Sequence, residues 1–234
     1  MRKEPFAEGD YVHVVKRGVR GLPIVRDNND SWRFLKLLKH CNGGRLPEHW
    51  EDEIEAITRL GGSQFDRPEH WPEQEPIVTV LAYTLMPNHF HLLLREITPG
   101  GVAKFMQRLG NSMTGHFNLK YKEKGTLFQG AYTAKRISSD AYMRYVAPYI
   151  MIKNVFELQP GGLGAAARDF EAAYARAKQY PFSSFIEYAS AQVRPAQSVI
   201  DKELLGEMFE TPAAFKRHAK EFMMQEKYLK KEMN

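Results

Sequence analysis

Two histidines stand one residue apart in the apolar run "MPNHFHLLL", residues 86–94. Alternate residues of a β-strand share a face, so on a strand His89 and His91 point the same way, with Leu93 and Arg95. Phe90, Leu92 and Leu94 then point the other way. The two Cα atoms lie about 6.5–7 Å apart in that geometry. Neutral imidazoles at this spacing can converge on one divalent first-row metal ion. They can equally be two half-buried side chains held by hydrogen bonds, and the pair alone leaves both readings open.

The elements that must position this pair are legible from periodicity. "DYVHVVKRG" (10–18) alternates and is rich in β-branched residues, so it reads as a strand. "NDSWRFLKLLKHC" (29–41) has helical spacing, with Asp30 or Ser31 as the expected N-cap. "IVTVLAYTL" (77–85) is a second strand, "MPN" turns, and "HFHLLLRE" (89–96) is a third, antiparallel to the second. Val102, Phe105, Met106, Leu109, Met113 and Phe117 then mark one face of a long helix. "YTAKRIS" (132–138) is a short strand. Ser138 or Ser139 caps the helix "DAYMRYVAPYIMIKNVF", in which Pro148 predicts a kink or local break. An Ala-rich helix (165–178) and a final amphipathic helix (211–231) complete the chain. The order predicts an α+β fold: a ferredoxin-like central antiparallel sheet with helices packed on one face.

Composition narrows the partners. The 234 residues suffice for one substantial core, and the single cysteine, Cys41, excludes an internal disulfide and any cysteine-based metal cluster. "MRKEPFAEGD" has no apolar stretch of the signal-peptide kind, and no apolar run approaches the length of a bilayer span, so a cytoplasmic protein without a membrane partner is expected. Charge is distributed unevenly. Residues 100–153 carry nine Lys/Arg against two acids, whereas residues 42–76 carry nine acids against three arginines. The basic middle segment points to a polyanion partner, with ordinary solvated helix faces as the alternative. The acidic segment, punctuated by Gly and Pro, reads as a partly helical insertion outside the core.

Taken in order, these motifs resemble one family. "YTLMPNHFHLLLRE" is similar to the HUH motif (histidine, hydrophobic residue, histidine) of single-tyrosine transposases. "YVHVVKRGVRGLPIV" resembles the family's first strand and following turn. "GGVAKFMQRLGNSMTGHFNLKYKEKGTLFQGAYTAKRI" resembles its helix, basic loop and next strand. "YMRYVAPYIMIKNV" resembles the helix that carries the catalytic tyrosine, and "YPFSSF" a segment that often follows. The pattern is nearest to the IS200-like and REP-associated tyrosine transposases. It covers roughly residues 10–41 and 77–188.

The resemblance implies cleavage and rejoining of single-stranded DNA, with recognition of a hairpin. A tyrosine hydroxyl attacks a backbone phosphate, forms a 5′-phosphotyrosine link and frees a 3′-hydroxyl. The resemblance assigns a divalent metal, Mg²⁺ or Mn²⁺, to His89 and His91. It also leaves monomer and homodimer open, since family members occur as both. The physical logic agrees. A phenol, with a pKa near 10, is a poor nucleophile at neutral pH, and its phosphate target needs charge neutralisation. Lys104, Arg108, Lys135 and Arg136 are candidate phosphate contacts, and Asn111, His116 and Gln129 candidate DNA contacts.

Among the tyrosines of the last core helix, the family pattern of Tyr-Ile followed by an amide four residues after the tyrosine selects Tyr149. Tyr142 and Tyr145 are left to packing or base stacking. The amide position is Lys153, a departure, because protonated lysine has no lone pair for a metal. Either Asn154 becomes the third ligand through the Pro148 kink, or Lys153 acts as a fixed cation beside the phosphate or Tyr149. A third outcome is lost catalysis and a DNA-binding regulator on the same fold. A nucleotide hydrolase of the histidine-triad kind is disfavoured, since its third histidine position here is Leu93. The expected organisation is a catalytic domain over 1–190, containing the insertion 42–76, and a helical extension over 191–234.

Overall fold

The computed structural model describes residues 5–232, with side chains described through residue 224. β1 (Tyr11–Arg17) is followed by α1 (Asn28–His40), α2 (Trp50–Arg59), β2 (Val78–Met86), β3 (His89–Glu96), α3 (Gly101–Tyr121) and β4 (Thr133–Arg136). The four strands form one sheet in the order β2-β3-β1-β4, with every pairing antiparallel. Read from the other edge this is 4-1-3-2, the ferredoxin-like arrangement, and the chain is α+β.

Alternation sorts the two faces. Val12 and Val14 of β1 and Phe90, Leu92 and Leu94 of β3 bury one face against Phe34, Leu35 and Leu38 of α1 and Val102, Phe105, Met106 and Leu109 of α3. α1 and α3 thus lie together on one face, as expected. The chain beyond β4 supplies cover for part of the other. α4 (Asp140–Pro148), a π-helical turn (Tyr149–Lys153) and α5 (Asn154–Glu157) pack on Leu81, Ala82 and Leu93. They are backed by α6 (Gly162–Arg168), α7 (Phe170–Ala177), α8 (Phe185–Ala189), α9 (Glu203–Met208) and α10 (Pro212–Glu232).

Several local expectations shift. The N-cap of α1 is Asp27, whose Oδ1 accepts from the Asp30 amide at 2.9 Å, rather than Asp30 or Ser31. Ser139 caps α4, accepting from the Tyr142 amide at 3.2 Å. The Ala-rich helix is two helices, because Asp169 leaves helical geometry (φ −131°, ψ 77°) and caps the second. Residues 42–76 do carry a helix, α2, but they reach the core: Trp50, Ile54, Phe65 and Trp71 are buried against α1. Net acidity hid a Trp50/Ile54 pair at i,i+4 spacing, which places both on one helix face. The acids of α2 partly answer to α1, with Glu51 3.2 Å from Arg33 and 3.6 Å from Lys36.

His40 sits between the rings of Trp50 and Trp71 and bonds the Gln64 carbonyl at 3.1 Å. Burial lowers its pKa to about 4. A histidine that is neutral when folded and protonated when unfolded gives stability that is complete above the free value, about 6.5, and declines as pH falls toward 4. Urea unfolding of the wild type is expected to lose on the order of 2 kcal/mol between pH 7 and pH 5 from this group. His40→Leu, less stable at pH 7, should show a shallower pH slope; an unchanged slope would remove His40 as the cause.

Candidate active site on the histidine face

The face opposite α1 and α3 carries the chemistry. β1 and β3 pair so that Val15 opposes His91, His13 opposes Leu93 and Arg17 opposes His89. Residues paired across the ladder point to the same side. His13, Arg17, His89 and His91 therefore share this face. His13 Nε2 and His91 Nδ1 are 2.9 Å apart, and the two rings meet edge to edge and nearly coplanar, with centroids at 5.2 Å. The His89 and His91 centroids are 5.1 Å apart. His89 Nδ1 lies 2.7 Å from Asn88 Oδ1 in the turn before β3.

Tyr149 stands over this cluster. Its ring centroid is 5.6 Å from that of His91 and 6.1 Å from that of His13, both edge-on. Pro148, lacking an N–H, interrupts the α-helical ladder, and the next residues close i→i+5 bonds instead, with the Asn154 amide reaching the Tyr149 carbonyl. The predicted disturbance at Pro148 is thus a π-turn that begins at Tyr149. One carbonyl of this turn is held from below: the Thr84 hydroxyl of β2 donates to Ile150 O at 2.7 Å. Thr84 is itself braced by Ser183 Oγ at 2.8 Å, within the "YPFSSF" segment that lies along the β2 edge. Thr84→Val should cost about 1–3 kcal/mol by removing the buried hydroxyl bonds to Ile150 O and Ser183 Oγ, measured by urea unfolding, with Thr84→Ser close to wild type.

Behind Tyr149, Tyr145 packs at 6.0 Å and bridges to Phe222 of α10 at 5.9 Å, so the C-terminal helix buttresses the tyrosine helix. Lys153 Nζ lies 5.0 Å from the centre of the Tyr149 ring and 3.0 Å from Glu157 Oε2. Asn154 is 2% exposed and its Nδ2 has no hydrogen-bond partner among the described residues. It belongs to the buried side of the turn, whereas Lys153 belongs to the side of Tyr149.

Burial, reinforced by the Lys135 charge, lowers the His13 pKa to about 4. His91 is pushed down to about 2, first by burial and then by His13, His89, Lys153 and Arg17. His89 is lowered as well, by burial and Arg17. All three imidazoles are neutral at physiological pH and carry lone pairs. The Asn88 amide donates to Gly21 O at 3.1 Å, which turns its carbonyl toward His89. A carbonyl only accepts, so His89 Nδ1 carries the proton and Nε2 the lone pair. Two neutral imidazoles fit a divalent ion whose remaining positions are filled by water or phosphate oxygens. Among the described residues no group of three or more His, Cys, Asp or Glu side chains adds further ligands.

The sheet divides the candidate DNA contacts. Lys135 opposes His13 across the β1–β4 ladder and so lies on the histidine face, its Nζ 4.3 Å from the Tyr142 ring centre. Arg136 points to the other face and pairs with Asp10 at 2.7 Å. Lys104, Arg108 and Asn111 are on α3, behind the sheet. Arg108 is engaged by the carbonyls of Cys41 and Gly43. Gln129 is exposed in the loop before β4, its amide on Arg17 O at 2.9 Å. His116 faces Asp30 at 3.3 Å, away from Tyr149. Sequence reasoning overlooked His13 and Arg17. The alternation of "YVHVVKR" puts both on one face, but only the strand register shows that it is the face of His89 and His91.

The arrangement thus joins a phenol, neutral imidazoles and a flanking cation on one face of the sheet, where His91 is buried and His13, His89 and Tyr149 are half-buried. A family model described as "Transposase IS200 like" matches residues 73–153, from the approach to β2 through the π-turn. No curated protein matches the chain. Among solved structures, a REP-associated tyrosine transposase bound to a REP hairpin aligns at 15% identity over 86% of this chain and 92% of that one, with a TM-score of 0.43. A protein from Deinococcus radiodurans R1 described as a transposase aligns at 14% identity over 62% and 91%, with a TM-score of 0.26. Among the described residues, no helix is long and apolar enough to cross a membrane.

Proposed function

We propose, from the match of residues 73–153 to the IS200-like transposase family model, that the chain cleaves and rejoins single-stranded DNA with Tyr149 as nucleophile. The observation that carries this reading is the Tyr149 ring, 5.6 Å from His91 and 6.1 Å from His13 within one chain. The Tyr149 oxygen attacks a backbone phosphorus and loses its proton to water. The bond from phosphorus to the 3′-oxygen breaks, and that oxygen takes up a proton. The product is a 5′-phosphotyrosine link and a free 3′-hydroxyl, and the reverse step rejoins strands without ATP because the link conserves the bond energy.

His89 and His91 would hold the divalent ion, Mg²⁺ or Mn²⁺, which supplies charge neutralisation at the phosphate. Lys153, fixed between Glu157 and the Tyr149 ring, serves as a local cation instead of a third ligand. The burial of Asn154 argues against its use as a ligand without rearrangement of the turn. Lys135 and Arg17, on the histidine face, are the nearest candidates to steer the phosphate backbone. Lys104, Arg108, Asn111 and Arg136 could reach only DNA that passes beyond that face.

The test is incubation of labelled hairpin DNA bearing a single-stranded flank with the protein and Mn²⁺ or Mg²⁺. The expected product is a covalent adduct that survives denaturation and is absent with EDTA. Binding without adduct on a panel of such DNAs would favour the second reading, a DNA-binding regulator on the same fold, which the lysine at position 153 keeps in play.

A further inference from the structure

His13 has no role in the chemistry as described so far, yet it makes the shortest side-chain contact of the histidine cluster after the Asn88 bond. Its Nε2 lies 2.9 Å from His91 Nδ1, with the two ring planes within 19° of each other and the rings edge to edge, as an in-plane N–H···N bond requires. Two neutral imidazoles can share such a contact in only two ways. If His13 donates, His91 must carry its own proton on Nε2 and cannot ligate through that atom. If His91 donates from Nδ1, its Nε2 presents a lone pair. The second arrangement reproduces the state that Asn88 imposes on His89 through its own Nδ1.

We propose that His13 is a positioning residue: its Nε2 accepts the Nδ1 proton of His91 and so turns the Nε2 lone pair of His91 toward the ion shared with His89. This rests on the reading of His89 and His91 as a cation site. Ligating histidines generally donate their second N–H to an acceptor that fixes tautomer and ring orientation, and losing that acceptor weakens metal binding about 10–100-fold. Such acceptors are usually carboxylates or carbonyls. Here the neighbouring strand supplies an imidazole, which meets the ring it orients edge to edge and nearly coplanar. The site thus has two unlike supports, an amide from the preceding turn for His89 and a ring from β1 for His91. His13 lies outside the matched segment 73–153, so its part in the site comes from strand pairing alone.

The experiment is long-range ¹H–¹⁵N correlation of histidine-labelled full-length protein, metal-free and then titrated with diamagnetic Cd²⁺. The expected metal-free spectrum has His91 protonated on Nδ1 and bare on Nε2. Cd²⁺ should shift the Nε2 resonances of His89 and His91 and leave His13 Nε2 in place. His13→Ala should release His91 into a tautomer mixture and weaken Cd²⁺ binding about 10–100-fold. His13→Gln, whose carbonyl can accept the same proton, should recover most of both. A merely structural role would lower the melting temperature of both variants without moving the His91 tautomer. His91 protonated on Nε2 in the wild type, a Cd²⁺ shift centred on His13 Nε2, or unchanged affinity in His13→Ala would each overturn the proposal. The expected tautomer in a wild type that binds no divalent ion would uphold the hydrogen bond and overturn the cation reading beneath it.

Discussion

Tyr149→Phe is expected to yield a folded protein that binds hairpin DNA as the wild type does and forms no covalent adduct with it. The substitution removes one oxygen from a half-buried ring whose edge-on packing against His91 and His13 is otherwise unchanged. Removing a nucleophile outright lowers turnover by orders of magnitude, on the order of 10⁴-fold or more where the nucleophile acts as part of a unit. Binding should survive because phosphate affinity comes from Lys and Arg contacts, none of which the hydroxyl provides. Tyr142→Phe and Tyr145→Phe should keep adduct formation. Tyr145 bridges Tyr149 to Phe222 through its ring, which phenylalanine retains. The readout is adduct formation on denaturing gels beside equilibrium binding of the same DNA.

The second large effect is expected at the histidines. His91→Ala removes a proposed ligand nitrogen and the ring that hydrogen-bonds His13 and faces Tyr149. Lewis-acid stabilisation of a phosphoryl transition state amounts to several kcal/mol, so the adduct rate should fall on the order of 10³-fold at a fixed Mn²⁺ concentration. His89→Ala should fall comparably, and raising Mn²⁺ should recover part of either loss. The geometry adds a sharper expectation. Tyr149 and the histidines approach one another within a single chain, so a mixture of Tyr149→Phe and His91→Ala proteins should remain inactive. Restored adduct in the mixture would mean that the working site takes its tyrosine helix from a second copy.

Much of this site was legible before the structure because its logic is local. The alternation of residues 89–96 fixed which side chains face α1 and α3 and which share the side of His89 and His91. Pro148 marked the helix where the backbone departs from α-geometry. The parts that stayed hidden are non-local. His13 could be assigned to the site only through the β1–β3 register. The basic segment 100–153 read as one patch, yet the sheet puts Lys135 in front and α3 with Lys104 and Arg108 behind. Asn154 was a reasonable substitute for the missing amide at 153 until the π-turn left it buried. Residues 42–76 looked peripheral from charge, whereas burial of Trp50 and Trp71 against α1 ties them to the core. In each case sequence supplied residue types, and pairing between distant segments decided their company.

The most direct measurement is the fragment-ion mass spectrum of the tryptic peptide that carries DNA after reaction with a hairpin substrate and nuclease digestion, which separates Tyr149 from Tyr145 within the one peptide. The account predicts a nucleotide remnant on Tyr149, attached through its 5′-phosphate, in the peptide that ends at Lys153. A remnant on Tyr142, Tyr145 or a tyrosine outside this helix, or cleavage that leaves no protein-bound nucleotide, would contradict it.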